Sequence, residues 1–292
     1  MKIIDGKKIA EKLKSEIANE VAAMIDKDER GPHLAAILVG DDAASQTYVA
    51  SKEKACASVG MTSSIYRHPS TITEKELLKI VDFLNSDDEV DGFIVQLPLP
   101  AHIDENKIIQ RIDPKKDVDG FHPINIGKMV LGLPAHISAT PQGIMMLLEQ
   151  SKIETSGKHV VVVGRSNIVG TPLSILLSRK AKNANATVTL CHSKTENLKE
   201  ICKSADILIA AIGVCEFIKA DMVKDGAVVI DVGMHRIASH KTQSGFKLKG
   251  DVAFNEVAEK CGYITPVPGG VGPMTIVSLL QNTLKAYKKE VR

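Results

Sequence analysis

The stretch Val160-Val161-Val162-Val163-Gly164-Arg165-Ser166-Asn167-Ile168-Val169-Gly170-Thr171-Pro172 decides how this chain is read. Four successive valines carry no polar alternation, so the strand they form must be covered on both faces, as in a parallel sheet. Gly164 and Gly170 bracket a loop, and Thr171-Pro172 is expected to open a helix, because proline is tolerated in a first helical turn. Buried strand, glycine loop and helix N-terminus in succession form a seat for a pyrophosphate. Ser166 replaces the second glycine of the usual G-x-G-x-x-G pattern, so the stretch also fits an ordinary strand-to-helix turn.

On either side of it, strand and helix signals alternate. Downstream, apolar runs at 187–191, 207–212 and 227–232 read as further strands, and Ile276, Leu280, Leu284 and Tyr287 mark a last helix. The polar segment 239–249 reads as a surface loop or hairpin. Upstream, Thr140-Pro141 is expected to be an N-cap and first-turn proline of a helix through Ile144, Leu147 and Leu148. Ile9, Leu13, Ile17, Val21 and Met24/Ile25 recur at helical spacing over 6–25. Strands follow at 34–39 and 93–97, the second stopped by Pro98 and Pro100. Helices are expected at 43–59, around Leu77, Val81 and Leu84, and around Ile108, Ile109 and Ile112. The alternation implies parallel βαβ units and an α/β fold, with a domain boundary near Thr140.

The 292 residues suffice for one large or two modest domains. A net charge of +2 gives no reason to expect a nucleic-acid or membrane partner, and no apolar run approaches the roughly 18 residues of a membrane span. The five cysteines (Cys56, Cys191, Cys202, Cys215, Cys261) are scattered and form no C-x-x-C pair, which favours reduced thiols in a cytoplasmic setting and no metal centre. The N-terminus has no signal-peptide core.

Several residues could carry chemistry. Within 43–59, Ala44, Tyr48, Ala55 and Val59 are expected on one helix face, with Lys52 inside that stripe. Desolvation favours the neutral amine of a buried lysine, which a proton-transfer base requires; the alternative is a lysine whose head reaches solvent. Gln96 closes a parallel strand, at the sheet edge where ligands gather. Asp117 and Asp119, in Lys-Asp-Val-Asp-Gly, fit a metal pair, a solvated loop, or a carboxylate that grips an amino-pyrimidine edge by two hydrogen bonds. Residues 187–195 lack the acidic residue that usually takes a ribose 2′-hydroxyl, and offer His192, Ser193, Lys194 and Thr195 instead. With Arg165 these suit a 2′-phosphate and hence NADP, while His192 alone reads as a capping residue. Residues 120–128 only mimic a phosphate loop, because their spacing is wrong.

Taken together, the chain resembles the bifunctional methylenetetrahydrofolate dehydrogenase/cyclohydrolase family. The resemblance rests on Tyr48-Val-Ala-Ser-Lys52, Val95-Gln-Leu-Pro-Leu-Pro100, Lys116-Asp-Val-Asp-Gly120, the Gly164–Pro172 stretch and Pro268-Gly-Gly-Val-Gly-Pro-Met-Thr275. It implies two αβ domains with a cleft between them, the second Rossmann-like, and a cytoplasmic homodimer. The folate-binding catalytic domain would span 1–140, completed by 275–292, and the NADP-binding domain 141–274. By the same resemblance Lys52 is the key catalytic residue with Gln96 as its partner. Tyr48 stacks on the folate and Asp119 holds the pterin amino group. Leu97, Pro98, Pro268, Gly269 and Gly270 line the substrate pocket. Thr140, Gly164, Arg165, Ser166, Val169, Ser193, Met234 and Thr275 hold the cofactor, and Thr275 starts the last helix. Residues 180–185 run longer than the family pattern, and no formyltetrahydrofolate synthetase activity is expected.

The implied reaction passes a hydride from the one-carbon bridge of 5,10-methylenetetrahydrofolate to the nicotinamide. Water then adds to the methenyl cation, giving 10-formyltetrahydrofolate for one-carbon metabolism and purine biosynthesis. Alignment suffices for the first step, whereas the second needs proton transfer. Other readings are a different two-domain NADP oxidoreductase, such as one like shikimate dehydrogenase, and a nucleotide-sensing protein without catalysis. Neither accounts for Lys52 together with Gln96 and the 268–275 loop.

Overall fold

The structure, a computed structural model, describes residues 1–239, 242 and 245–291. In chain order it runs β1 (Lys2–Ile3), α1 (Gly6–Ile25), β2 (His33–Val39), α2 (Ala43–Ser58), β3 (Thr62–His68), α3 (Glu74–Ser86) and β4 (Gly92–Val95). Next come α4 (Glu105–Arg111), α5 (Pro123–Val130), α6 (Ala139–Gln150), β5 (His159–Val163), α7 (Gly170–Ser178), β6 (Thr187–Cys191), α8 (Leu198–Lys203) and β7 (Ile207–Ala210). The chain closes with β8 (Val228–Asp231), β9 (His235–Ala238), β10 (Phe246–Lys249), α9 (Phe254–Ala258), β11 (Tyr263–Ile264) and α10 (Val271–Tyr287).

The four valines are the centre of the larger sheet. β5 lies between β7 and β6 in a six-stranded sheet of order β1-β11-β8-β7-β5-β6, and every pairing in it is parallel. Val160, Val161 and Val162 are fully buried, and each such side chain contributes about 1.5–3 kcal/mol by leaving water. The chain leaves β5 to one side for β6 and then crosses to the other side for β7. That reversal of direction is a topological switch point, and ligands bind at the carboxyl ends of strands there. This sheet belongs to a unit of residues 1–11 and 140–275.

The second unit comprises residues 12–139 and 276–292 around the three-stranded parallel sheet β3-β2-β4. β2 is its centre, and six of its seven residues are buried. Ile37, Leu77, Val81, Leu84, Phe93 and Val95 share one core beneath α3 and α4. A capping box fixes the start of α3, with Thr73 and Glu76 each satisfying a backbone N–H of the other.

The division differs from the sequence expectation at the N-terminus. Residues 1–11 join the larger sheet, because β1 pairs with β11 and the Ile4 N–H donates to the Ile264 carbonyl at 2.8 Å. A two-residue strand carries too little pattern to be read from sequence. β3 was not expected either, because its Thr-Ser-Ser-Ile-Tyr-Arg-His run is mostly polar, as an edge strand with solvent on one side allows. Helix starts also shift. α7 begins at Gly170, one residue before Thr171, and α6 at Ala139, so Thr140 lies inside the helix rather than capping it. α10 begins at Val271, which places Thr275 in its second turn rather than at its start. The 239–249 segment includes part of an antiparallel hairpin of β9 and β10, and residues 240, 241, 243 and 244 of that expectation lie outside the described residues. Among the described residues no helix is long and apolar enough to cross a membrane.

Candidate active site

In the smaller-sheet unit, the site begins where β2 and β4 end. α2 starts just beyond β2, where the Asp42 carboxylate caps it by accepting the Ser45 N–H at 2.7 Å. Its buried face is Ser45, Val49, Ala55 and Cys56, followed by Val59. Lys52 falls in line between Val49 and Cys56 and is half-buried. The expected stripe through Ala44 and Tyr48 is therefore rotated by one residue, and Tyr48 is 42 % exposed. The Cys56 thiol beneath is pushed up to about 12 by burial, so it stays protonated at neutral pH.

Gln96 follows β4, with its backbone N–H still on the ladder to the Ile37 carbonyl at 2.9 Å. Its side chain bridges two elements: Oε1 accepts Lys52 Nζ at 3.2 Å, and Nε2 donates to the Leu97 carbonyl at 2.8 Å. The second bond fixes which end of the amide faces the lysine. Pro98 follows through a cis peptide.

Asp119 completes the group. Burial raises its carboxyl above the ordinary carboxylate range, while the positive charge of Lys52 pulls it back down. The structure thus brings Lys52, Gln96 and Asp119 together, with Tyr48 one helical turn before the lysine. Asp117, two residues away, does other work. Its carboxylate accepts the His122 N–H at 2.8 Å, the Phe121 N–H at 3.2 Å and Asn125 Nδ2 at 2.8 Å. It is buried and its donors are protein groups, so it does not pair with Asp119 at a metal. Among the described residues no group of three or more His, Cys, Asp and Glu is placed to hold a metal ion.

Sequence reasoning missed the supports of this loop. Asn282, buried on α10, gives both hydrogens of Nδ2 to the Val118 and Ile137 carbonyls, each at 2.8 Å. His122 caps α5 by accepting the Ile124 N–H on Nδ1 at 3.1 Å. An asparagine in an apolar helix and a histidine before proline were the available signals, and neither is specific.

In the larger-sheet unit, β5 and β6 end side by side, with Val163 paired to Cys191. The turns carrying Gly164–Ser166 and His192–Lys194 therefore leave the same edge. Gly164 has φ +121°, and a Cβ there would stand 2.0 Å from the Ala211 carbonyl oxygen, so only glycine lets the loop cross the end of β7. A Cβ on Gly170 would stand 1.8 Å from the Gly164 oxygen. Ser166 Oγ accepts the Val169 N–H at 3.2 Å, and Thr171 Oγ1 donates to the Arg165 carbonyl at 3.2 Å. The loop is thereby tied to itself, leaving Arg165 exposed above it.

After β6, Thr195 Oγ1 accepts the His192 N–H at 2.8 Å and His192 Nδ1 accepts the Lys194 N–H at 3.1 Å. His192 is a turn residue, and Ser193 and Lys194 are exposed at its tip. A glycine cradle with a cation and hydroxyls beside it fits a phosphorylated dinucleotide. Thr140 and Thr275 stand together, with their Oγ1 atoms 3.2 Å apart, and Met234 is 44 % exposed beyond β8. The Pro268–Gly270 loop belongs to this unit too, with the Gly269 carbonyl accepting the Lys7 N–H at 3.0 Å.

Comparison with known proteins matches both parts. Residues 4–119 match the profile described as the catalytic domain of tetrahydrofolate dehydrogenase/cyclohydrolase, and residues 138–291 match that of its NAD(P)-binding domain. The chain belongs to the tetrahydrofolate dehydrogenase/cyclohydrolase family. It is 60% identical over 287 residues to the bifunctional protein FolD of Porphyromonas gingivalis, covering 98% of this chain and 97% of that one. Among solved structures it is similar to the bifunctional FolD of Campylobacter jejuni, a methylenetetrahydrofolate dehydrogenase/cyclohydrolase, with TM-score 0.93, 47% identity and full coverage of both chains. The Trypanosoma brucei enzyme, solved with NADP and an inhibitor, superposes with TM-score 0.93 at 38% identity, over 99% of this chain and 98% of that one. The two matched ranges contain Lys52 and Gln96 on one side and the 164–170 cradle on the other. It also places the half-buried lysine in the part that matches the catalytic domain.

Proposed function

We propose that this chain oxidises 5,10-methylenetetrahydrofolate with NADP to 5,10-methenyltetrahydrofolate and hydrolyses that product to 10-formyltetrahydrofolate, serving one-carbon metabolism. The observation that carries this reading is the Lys52 Nζ to Gln96 Oε1 bond of 3.2 Å beside Asp119, in the part of the chain that matches the catalytic domain.

Hydrolysis adds water to the methenyl carbon, breaks the bond from that carbon to N5 and releases one proton. Lys52 Nζ relays a proton between the attacking water and N5 as the bond breaks. Gln96 holds the lysine in place and is itself oriented by the Leu97 carbonyl. Asp119 accepts the amino-pyrimidine edge of the substrate in a charge-assisted pair, and the exposed Tyr48 ring offers a stacking face. Leu97, Pro98, Pro268, Gly269 and Gly270 are assigned to substrate binding.

NADP, when bound, accepts the hydride. Gly164, Ser166 and Val169 would hold its pyrophosphate. Arg165 and Ser193 take the 2′-phosphate, where an NAD site would carry a carboxylate. Thr140, Met234 and Thr275 are assigned to the remainder of the dinucleotide. The proposal extends to a cytoplasmic homodimer. Five free cysteines, four of them buried, support the reducing compartment.

The test is turnover of methylenetetrahydrofolate with NADP and with NAD, followed by near-ultraviolet absorbance with and without acid quenching. Preference for NADP by at least about tenfold in kcat/KM is expected, which requires only about 1.4 kcal/mol. Equal or better use of NAD contradicts the phosphate assignment of Arg165 and Ser193.

A further inference from the structure

Two buried carboxylates at the carboxyl edge of the larger sheet take no part in the chemistry above. Asp231, the last residue of β8, is 3 % exposed, and Asp251, shortly after β10, is fully buried. Asp251 Oδ2 accepts the N–H of Ile212 at 2.6 Å and of Gly213 at 2.9 Å, just beyond β7. Its Oδ1 stands 2.8 Å from His235 Nε2. Asp231 Oδ1 accepts the N–H of Gly233 at 3.0 Å and of Asp251 at 2.8 Å, and its Oδ2 accepts the N–H of Val252 at 3.0 Å. A Cβ on Gly250 would fall 1.8 Å from Asp231 Oδ2, so the approach is closed to any other residue.

Asp231 accepts the backbone N–H of Asp251, whose own carboxylate turns to Ile212, Gly213 and His235. Burial pushes the Asp231 carboxyl up to about 6, against three backbone donors that favour its ionised form. Placing two acids in an interior is costly, and a cluster confined to holding the fold together has cheaper apolar substitutes. What distinguishes this one is the set of segments it holds. Ile212 and Gly213 follow Ala211, the residue whose carbonyl Gly164 crosses. Gly233 and His235 flank Met234, the first tied by its backbone N–H to Asp231 and the second by its imidazole to Asp251.

We propose that Asp251, braced by Asp231, is a positioning residue for the dinucleotide: it fixes the backbone at residues 212 and 213 and, through the His235 imidazole, the segment next to Met234, against which the cofactor lies, without touching the cofactor. The proposal rests on the cofactor reading of this sheet edge. An acceptor of the right shape is what the role requires. Asn at 251 keeps an oxygen for the Ile212 and Gly213 donors and turns its amide toward His235 Nε2, whereas Ala removes the acceptor that both donors share.

The experiment compares Asp251→Ala, Asp251→Asn and the wild-type chain by NADPH fluorescence titration, by NADP KM and kcat, and by hydrolysis of methenyltetrahydrofolate without cofactor. Expected for Asp251→Ala is a rise of at least about tenfold in NADPH Kd and NADP KM with hydrolysis unchanged, and for Asp251→Asn a rise of less than about threefold. An unchanged NADPH Kd in Asp251→Ala overturns the proposal. So does hydrolysis falling in step with NADPH affinity, which marks general loss of structure, and so does an Asn variant as weak as the Ala variant. Absence of hydrolysis in the wild-type chain would count against the folate reading alone, because the NADPH titration still decides the role of Asp251.

Discussion

Lys52 and Gln96 meet through their side chains at 3.2 Å, whereas Gly164 and Ala211 meet because one of them has no side chain at all. The smaller-sheet unit gathers groups that hold or move protons: a half-buried amine, an amide locked by Leu97, and a carboxyl raised by burial. The larger-sheet unit presents backbone, shaped by glycines and by the buried acceptors Asp231 and Asp251. On the function proposed above, one region catalyses with a few replaceable atoms on a rigid frame. The other binds with the frame itself. Substitutions in the first are expected to alter rate with little effect on cofactor affinity, and substitutions in the second to do the reverse.

The largest effect is expected at Lys52. Lys52→Met removes the amine at nearly equal volume, and loss of one proton-transfer group costs about 10²–10⁴ in rate. Methenyltetrahydrofolate hydrolysis should fall by that range while NADPH titrates as in the wild type. A fall in both would break the contrast between the two regions. Asp119→Ala comes next. It removes a charge-assisted pair worth about 1.5–3 kcal/mol, roughly ten- to a hundredfold in folate affinity. Calorimetric titration with a folate analogue and with NADPH should show the loss for the first ligand only.

Arg165→Ala and Ser193→Ala probe the other region. Each should reduce the preference for NADP by up to about tenfold, through the KM for NADP and with NAD turnover nearly unchanged, since the contact exists only with the phosphate. Steady-state kinetics with both cofactors reads this directly, and equal losses with NADP and NAD would point to collapse of the loop.

How legible each region was follows from the same contrast. The four valines and the spacing of Gly164 and Gly170 were readable because steric demands leave a strict local pattern. Lys52 and Gln96 were visible as polar residues in apolar contexts, but the helix face was misplaced by one residue, since α2 also buries Ser45. Asp117 was readable only as one of a pair, and its capture by His122, Phe121 and Asn125 is tertiary. The Asp231–Asp251 cluster left no signal, because its partners, the His235 imidazole apart, are backbone N–H groups, which every sequence has. β1 escaped for a related reason: its pairing with β11 joins residues more than two hundred positions apart.

The smallest effect concerns stability. Burial raises the Asp117 carboxyl to about 7, so the folded chain holds that proton at pH values where the unfolded chain, near about 3.9, has lost it. The stability it contributes is therefore present below about pH 4 and is lost as pH rises through about 7. Between pH 6 and 8 the wild type should lose about 1 kcal/mol from this group, roughly 2–4 °C in Tm, and Asp117→Asn should remove that part of the slope. A wild-type Tm that rises over this range relative to the variant would show that Asp117 is ionised throughout.

The central claim is that one chain performs both reactions, and a quenched time course tests it most directly. Wild-type protein is mixed with methylenetetrahydrofolate and NADP, and NADPH, methenyltetrahydrofolate and 10-formyltetrahydrofolate are measured separately at each time. The predicted result is one NADPH for each methenyl or formyl product formed, with the formyl product accumulating faster than methenyltetrahydrofolate hydrolyses in buffer. NADPH and methenyltetrahydrofolate appearing with no enzyme-dependent formyl product would contradict it.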